Sequence, residues 1–160
     1  YESSPIGVFQ TTLAARPLAA NRAIATMLGA ASPEEAIARF TDLRTQLYVY
    51  PDQRDRMIAQ LQEHGAVNDY EVEIRRIDGV VRRWQITAVL RAASAGQEPS
   101  IDGFAVDISE HHRTRQALEA TEESYRALFH AVHDAVLLVK SDGTVLSCNA
   151  AFTHTFGHRN

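Results

Sequence analysis

The chain has 160 residues, 45% of them hydrophobic and 22% charged, with a formal net charge of -4. That length suits one full domain plus an appendage, with room for a real core. The mild acidity leaves no electrostatic footprint for nucleic acid or for an anionic membrane, so neither is expected as a partner. No apolar run approaches the roughly 18 to 20 residues of a membrane span, so no membrane insertion is expected in this segment. Tyr1 to Pro5 lack the basic start and apolar centre of a signal peptide. The single cysteine, Cys148, cannot form an internal disulfide, which makes a reducing, cytoplasmic setting the expectation. The abrupt ends point to a piece cut from a longer protein.

In chain order, Ile6 to Thr12 reads as a short strand and Pro17 to Ala20 as a second, joined by Leu13 to Arg16. Asn21 stands where a helix N-cap belongs, with Ala23, Ile24, Met27 and Leu28 behind it at helical spacing and Gly29 as the stop. Ser32-Pro33-Glu34-Glu35 is a second start, with Ser as cap, Pro at the first helical position and Glu completing the box. Asp42 to Tyr48 reads as one more short helical turn. Pro51 opens a longer helix with Met57, Ile58 and Leu61 on one face, ending at Gly65.

Beyond Gly65 the period switches to two. Tyr70, Val72 and Ile74 face one way; Asp69, Glu71, Glu73 and Arg75 face the other. Asp78-Gly79 makes a tight hairpin turn. The next strand alternates Trp84, Ile86, Ala88 and Leu90 against Arg83, Gln85, Thr87 and Val89. A polar loop, Ser94 to Ser100, leads to the last strand, Ile101 to Ile108. There Phe104, Val106 and Ile108 share one face, with Gly103, Ala105 and Asp107 on the other. The order predicts an α+β unit, a five-stranded sheet with short helices covering one face.

Asp107 and Glu110 form a carboxylate version of the capping box, so the last strand hands over directly to a helix. From Glu110 to Val132 there is neither Pro nor Gly. Two apolar tracks compete along this helix. One passes through Leu118, Tyr125 and Phe129, the other through Leu118, Tyr125, Leu128 and Val132. An imperfect seam of this kind suits a coiled coil with a symmetry mate, against the plainer reading of a solvated connector.

An internal repeat runs through the chain. At an ungapped offset of 128, Val8 matches Val136, Leu18 matches Leu146, Asn21 matches Asn149, Ala23 matches Ala151 and Gly29 matches Gly157. Asp142-Gly143 supplies the hairpin turn that the first copy has at Ala14-Ala15. The second copy stops at Asn160, after two strands and one helix. It cannot bury its own sheet face, and is expected to be poorly ordered or to borrow a surface from a neighbouring chain.

Gly7-Val8-Phe9-Gln10-Thr11-Thr12, Asn21 with Leu28-Gly29, Ser32-Pro33-Glu34-Glu35, Gln46-Leu47-Tyr48-Val49, Arg75-Arg76-Ile77-Asp78-Gly79, Trp84, and Gly103 through Asp107-Ile108-Ser109-Glu110 occur in one order and spacing. Over Ile6 to Glu110 the chain thereby resembles the PAS domain of bacterial signalling proteins, with a second PAS domain beginning near Asp134. The last motif is close to that family's D-I-T-E strand-to-helix junction, with Ser109 in place of Thr. The resemblance implies the PAS fold, a five-stranded antiparallel sheet with helices cupping one face, followed by a long helix. The implied division is a sensory domain over 1–108, a helical linker over 109–133, and the start of a second domain over 134–160. It also implies a role in sensing or association upstream of an output enzyme.

The resemblance raises the question of cofactors. Flavin photosensors of the family carry a cysteine in an Asn-Cys-Arg-Phe-Leu-Gln-like helix. Asp42 to Tyr48, the matching region, has none, and Cys148 reads as a small buried hydrophobe. Haem-binding relatives use a His on the long helix. Pro51 to Gln62 has none, and His64 beside Gly65 reads as a partner for the last carbonyls. Flavin and haem are therefore not expected. His111 and His112 are adjacent on a helix and cannot both face one metal, so no metal is expected either.

A small-molecule cavity between helices and sheet would be lined by Met57, Leu61, Trp84, Ile86, Phe104 and Val106, a set that equally describes a filled core. Gln10, Gln46 and Tyr48 are the polar candidates to orient a ligand. Trp84 could stack on a planar ligand or simply serve core or interface. Arg82-Arg83 with Arg75-Arg76 reads as a charged hairpin face opposite Glu71 and Glu73. No Gly-rich phosphate loop, metal-ligand spacing or nucleophile–base pair appears, so the chain itself is not expected to be an enzyme.

The sequence therefore describes a cytoplasmic, homodimeric input module. It would relay binding of an unidentified ligand or partner through Asp107 and Glu110 to a helix that pairs at Leu118, Tyr125, Leu128 and Phe129. The downstream output is expected to be a sensor histidine kinase, with a diguanylate, adenylate or guanylate cyclase as the alternative. The rival class is a ligand-free dimerisation or interaction domain.

Overall fold

The structure is a computed structural model that describes residues 6–93 and 98–156. It divides into two compact units, Tyr1–Glu110 and His111–Asn160. In the first unit, strands β1 (Gly7–Thr12) and β2 (Pro17–Ala20) are followed by helices α1 (Arg22–Leu28), α2 (Pro33–Arg39), α3 (Leu43–Gln46) and α4 (Pro51–His64). Strands β3 (Ala66–Arg75), β4 (Val81–Arg91) and β5 (Ser100–Asp107) complete it, and α5 (Ser109–Ala131) begins at its end. The five strands form one sheet in the order β2-β1-β5-β4-β3, every neighbouring pair antiparallel. Of the expected loop from Ser94 to Ser100, residues 94–97 lie outside the described residues.

The helix boundaries follow from local chemistry. Asn21 Oδ1 accepts the Ile24 amide at 3.0 Å and starts α1, which Gly29 closes with φ of 78°. Ser32 Oγ accepts the Glu35 amide at 3.2 Å, while the Glu35 carboxylate accepts from the Ala31 amide at 2.6 Å. The box thus reaches back one residue further than the usual pattern, which returns to the cap residue itself. Asp42 caps α3 through the Arg44 amide at 2.9 Å. α4 ends at Gly65 in the left-handed region, a conformation that side chains resist.

The core lies between the helices and the inward face of the sheet. Met57 and Leu61 of α4 are fully buried there, with Val72, Ile74, Trp84, Ile86 and Ala88 from β3 and β4. On β5 the expected alternation is present, but its faces are the reverse of the simplest hydrophobic reading. Ile101 and Ala105 point into the core at 0% exposure, whereas Phe104 is 45% exposed on the outer face, with Val106 beside it half-buried. Size explains the choice. A Cβ at Gly103 would stand 2.6 Å from Phe9 Cζ and 2.9 Å from Ala88 Cβ. The inner face at mid-strand is already occupied by the Phe9 ring from β1, so β5 must present small residues there.

The second unit contains most of α5, then β6 (Leu137–Val139), β7 (Val145–Cys148) and α6 (Ala150–Phe156). At the offset of 128 it repeats the main hydrogen bonds of the start of the first unit. The Asn21 amide donates to Val8 O and its Nδ2 to Ile6 O; the Asn149 amide donates to Val136 O and its Nδ2 to Asp134 O. The Ile24 amide donates to Asn21 Oδ1, and the Phe152 amide to Asn149 Oδ1. The irregularity between Gln10 and Thr11 in the first hairpin recurs between Leu138 and Val139 in the second. Ala15 adopts φ of 66° where the second copy has Gly143 at 86°, so the turn is kept even where it strains an alanine. Gly157, the match of Gly29, lies outside the described residues. The strand residues of the second hairpin, Leu137 to Val139 with Val145 and Leu146, are exposed.

Candidate ligand cavity and strand-to-helix junction

A cavity of about 50 Å³ sits between the helices and the inner face of the sheet. Tyr48, Trp84 and Ile86, among the residues expected to line it, do so. The others are placed elsewhere, each for an identifiable reason. Met57 and Leu61 are buried in the close-packed core and do not border the cavity. Phe104 and Val106 are on the outer face through the inversion of β5. Gln10 is also on the outer face, where its side-chain amide nitrogen Nε2 donates to Asp102 Oδ1 at 2.8 Å and to Ser100 Oγ at 3.4 Å. Gln46 turns back on its own loop, its Oε1 accepting the amides of Thr41 at 2.8 Å and Asp42 at 3.0 Å.

The charged group in the cavity wall is Arg54 of α4, which is 2% exposed. Its Nη2 donates to the Thr12 carbonyl at 3.0 Å and to Thr11 Oγ1 at 3.4 Å, and its guanidinium carbon lies 5.7 Å from the centroid of the Tyr48 ring. None of these partners carries a charge. A buried guanidinium is costly without a compensating anion, and ordinarily pairs with a carboxylate. Tyr48 is itself pushed above its ordinary pKa by burial, with the Arg54 charge pulling the other way. Trp84, 3% exposed, has an indole Nε1–H without an acceptor. Arg54 falls three residues before Met57, four before Ile58 and seven before Leu61, at helical spacing with the apolar stripe. A cation in register with a buried stripe is the signal that would have revealed it.

The junction lies one strand away. Trp84 in β4 is the direct cross-strand partner of Asp107 in β5. Asp107 Oδ1 accepts the Ser109 amide at 2.9 Å and so starts α5. Ser109 is itself nearly buried, and its Oγ accepts the Arg83 amide at 2.8 Å while the Ile108 amide donates to Arg83 O at 2.9 Å. Ser109, named from the sequence only as part of the junction motif, therefore ties the first turn of α5 to the residue beside Trp84. Arg83 also reaches Glu73 at 2.8 Å and Glu71 at 3.5 Å, the charged hairpin face expected from the sequence.

Along α5, Leu118, Tyr125 and Leu128 are exposed and Phe129 is half-buried, its ring stacked on Tyr125 at 5.8 Å. Cys148 is a free thiol, half-buried, 3.8 Å from Thr153 Oγ1. Among the described residues no cluster of three His, Cys, Asp or Glu could hold a metal, and no helix is long and apolar enough to cross a membrane.

Comparison with known proteins gives three findings. The family model described as "PAS domain" matches residues 123–160, under half of the chain. No curated protein matches the sequence. Among solved structures, the PAS domain of a protein from Colwellia psychrerythraea is 20% identical, with a TM-score of 0.53, covering 66% of this chain and 87% of that one. A sensory box histidine kinase/response regulator from Burkholderia thailandensis is 22% identical, with a TM-score of 0.51 and coverages of 78% and 92%. An RNA-binding light-oxygen-voltage receptor is 18% identical, with a TM-score of 0.56, covering 76% of this chain and 35% of that one. What these structures share with the chain at such identities is the architecture, and the five-stranded antiparallel sheet with helices on one face is the PAS fold.

Proposed function

We propose that the chain is a non-enzymatic sensory input module of a cytoplasmic signalling protein. In this reading 1–108 senses a small molecule, 109–133 is a helical connector, and 134–160 begins a second PAS domain. The sensory-box histidine kinase among the structural neighbours supports a sensor histidine kinase as the output; a nucleotide cyclase would suit the same connector. The observation that carries the reading is the pairing of Trp84 in the cavity wall with Asp107 at the start of α5. A ligand that shifts Trp84 acts on the residue that caps the helix, and Ser109 transmits the same displacement through Arg83. Two copies of α5 would pair through Leu118, Tyr125 and either Leu128 or Phe129, and a small rotation would exchange the two seams.

The test is Asp107→Ala in the full-length protein, with the output activity measured in stimulated and unstimulated cells. The expected result is an output that no longer responds, held at one level. An unchanged response would refute the coupling. One observation favours the rival reading of a ligand-free association module: Val8, Val89 and Phe104 are exposed together on the outer sheet face. If that face mediates association, Phe104→Lys should abolish a dimer that Leu118→Lys leaves intact, as read by sedimentation.

A further inference from the structure

We propose that the cavity selects a small monocarboxylate with a short apolar body, its carboxylate bound by the Arg54 guanidinium. This rests on the sensory reading of the cavity given above and names the chemical class of its ligand. The first argument is donor–acceptor balance. Arg54 carries five N–H groups, Tyr48 and Thr11 each carry a hydroxyl, and Trp84 carries an indole N–H without an acceptor. Against them stand the Thr12 carbonyl and the Thr11 and Tyr48 hydroxyl oxygens, all already engaged by Arg54. The site therefore lacks acceptors and lacks negative charge. An ionised carboxylate supplies about four acceptor positions and no donor, in the planar geometry that a guanidinium matches.

Charge count fixes the valence. Arg54 is the only cation among the cavity's lining residues, and no carboxylate lies within salt-bridge distance of it among the described residues. One anionic group is balanced; a second would be buried without a partner. The remaining wall, including Phe9, Ile24, Leu28 and Phe40, is hydrocarbon and fits an alkyl body. The volume fixes the scale, since on this measure one water needs about 10–15 Å³ and about 50 Å³ therefore takes a ligand of only a few heavy atoms. Only a compact ligand fits without displacing side chains. Acetate, propionate and butyrate span the relevant range.

Trp84 is the one tryptophan of the chain and lies in the cavity wall, so its fluorescence reports occupancy directly. The purified chain is titrated with sodium acetate, propionate and butyrate, against butyramide and sodium chloride at matched ionic strength. The expected result is a saturable spectral change with at least one carboxylate, at least about tenfold tighter than with butyramide. Arg54→Met should abolish the preference for carboxylate over amide. Arg54→Lys, which keeps the charge but loses the planar fork, should weaken carboxylate binding while retaining that preference, and serves if the methionine variant fails to fold. Equal binding of butyramide and butyrate would overturn the carboxylate assignment while leaving a ligand-binding cavity in place. A response to no carboxylate beyond that to chloride would overturn the proposal. The Asp107→Ala test is independent of both outcomes, because it reads coupling in the full-length protein whatever the ligand.

Discussion

Ser109 offers the most direct test of how α5 is fastened to the sheet. Replacing it with Ala removes the acceptor of the Arg83 amide at 2.8 Å, together with the weaker return bond to Arg83 O at 3.4 Å. The carbonyl keeps the Ile108 amide at 2.9 Å, so the deficit falls on the Arg83 N–H. Losing one well-formed neutral hydrogen bond at a nearly buried site costs about 1 kcal/mol, and incomplete resolvation of the donor raises that to about 2 kcal/mol. For a unit of this size each kcal/mol lowers Tm by about 4–8 °C. Ser109→Thr keeps the hydroxyl and should stay within about 0.5 kcal/mol of the parent. Urea unfolding followed by Trp84 fluorescence gives the stability, and amide hydrogen exchange at Arg83 locates the loss. The alanine variant should exchange faster at Arg83 and the threonine variant should not. If Ser109→Ala changed stability by less than about 0.3 kcal/mol and left Arg83 exchange untouched, the hydroxyl would not be the fastening.

Gly103→Ala places a Cβ 2.6 Å from Phe9 Cζ and 3.0 Å from the Thr87 carbonyl, and should destabilise by about 1–3 kcal/mol in urea unfolding, with partial rescue by Phe9→Leu. A neutral result would mean that the inner face of β5 has room it is not shown to have. Asn149 is fully buried and its Oδ1 accepts the amides of both Val136 and Phe152 at 2.9 Å. Asn149→Ala should therefore speed exchange at those two amides together and cost about 1–2 kcal/mol in the second unit. Tyr48 gives a pH dependence of defined sign. Its folded-state pKa is raised by burial, so its contribution is full below the unfolded value near 10 and is lost as pH rises past it. Tyr48→Phe should flatten the fall in stability above about pH 10, and an unaltered alkaline slope would exclude Tyr48 as its source.

What could be read from the residues alone divides by the range of the interaction involved. Asn21, Ser32 and Asp42 cap helices through amides two or three residues away, so the local pattern held everything needed. The hairpin repeat is equally legible, because its residues match at one fixed offset and its turn bonds, Thr12 N to Arg16 O and Lys140 N to Thr144 O, close short loops. Gln10 failed as a cavity residue because its partner, Asp102, is distant in sequence and adjacent only once β1 pairs with β5. Phe104 failed for a related reason. Hydrophobicity favoured it for the core, but the face was decided by the ring of Phe9 filling the space above Gly103 from another strand. Hydropathy by itself assigns Arg54 to the outside, yet its helical spacing with Met57 and Leu61 places it on the buried stripe. These errors share a cause, in that hydropathy assigns a side chain to inside or outside one residue at a time, whereas a sheet assigns whole faces. The same logic explains why the cavity and the junction are linked at all. Once parity places Ile101 and Ala105 inward, Asp107 must follow them onto the face of Trp84, and the cap of α5 becomes a neighbour of the cavity wall.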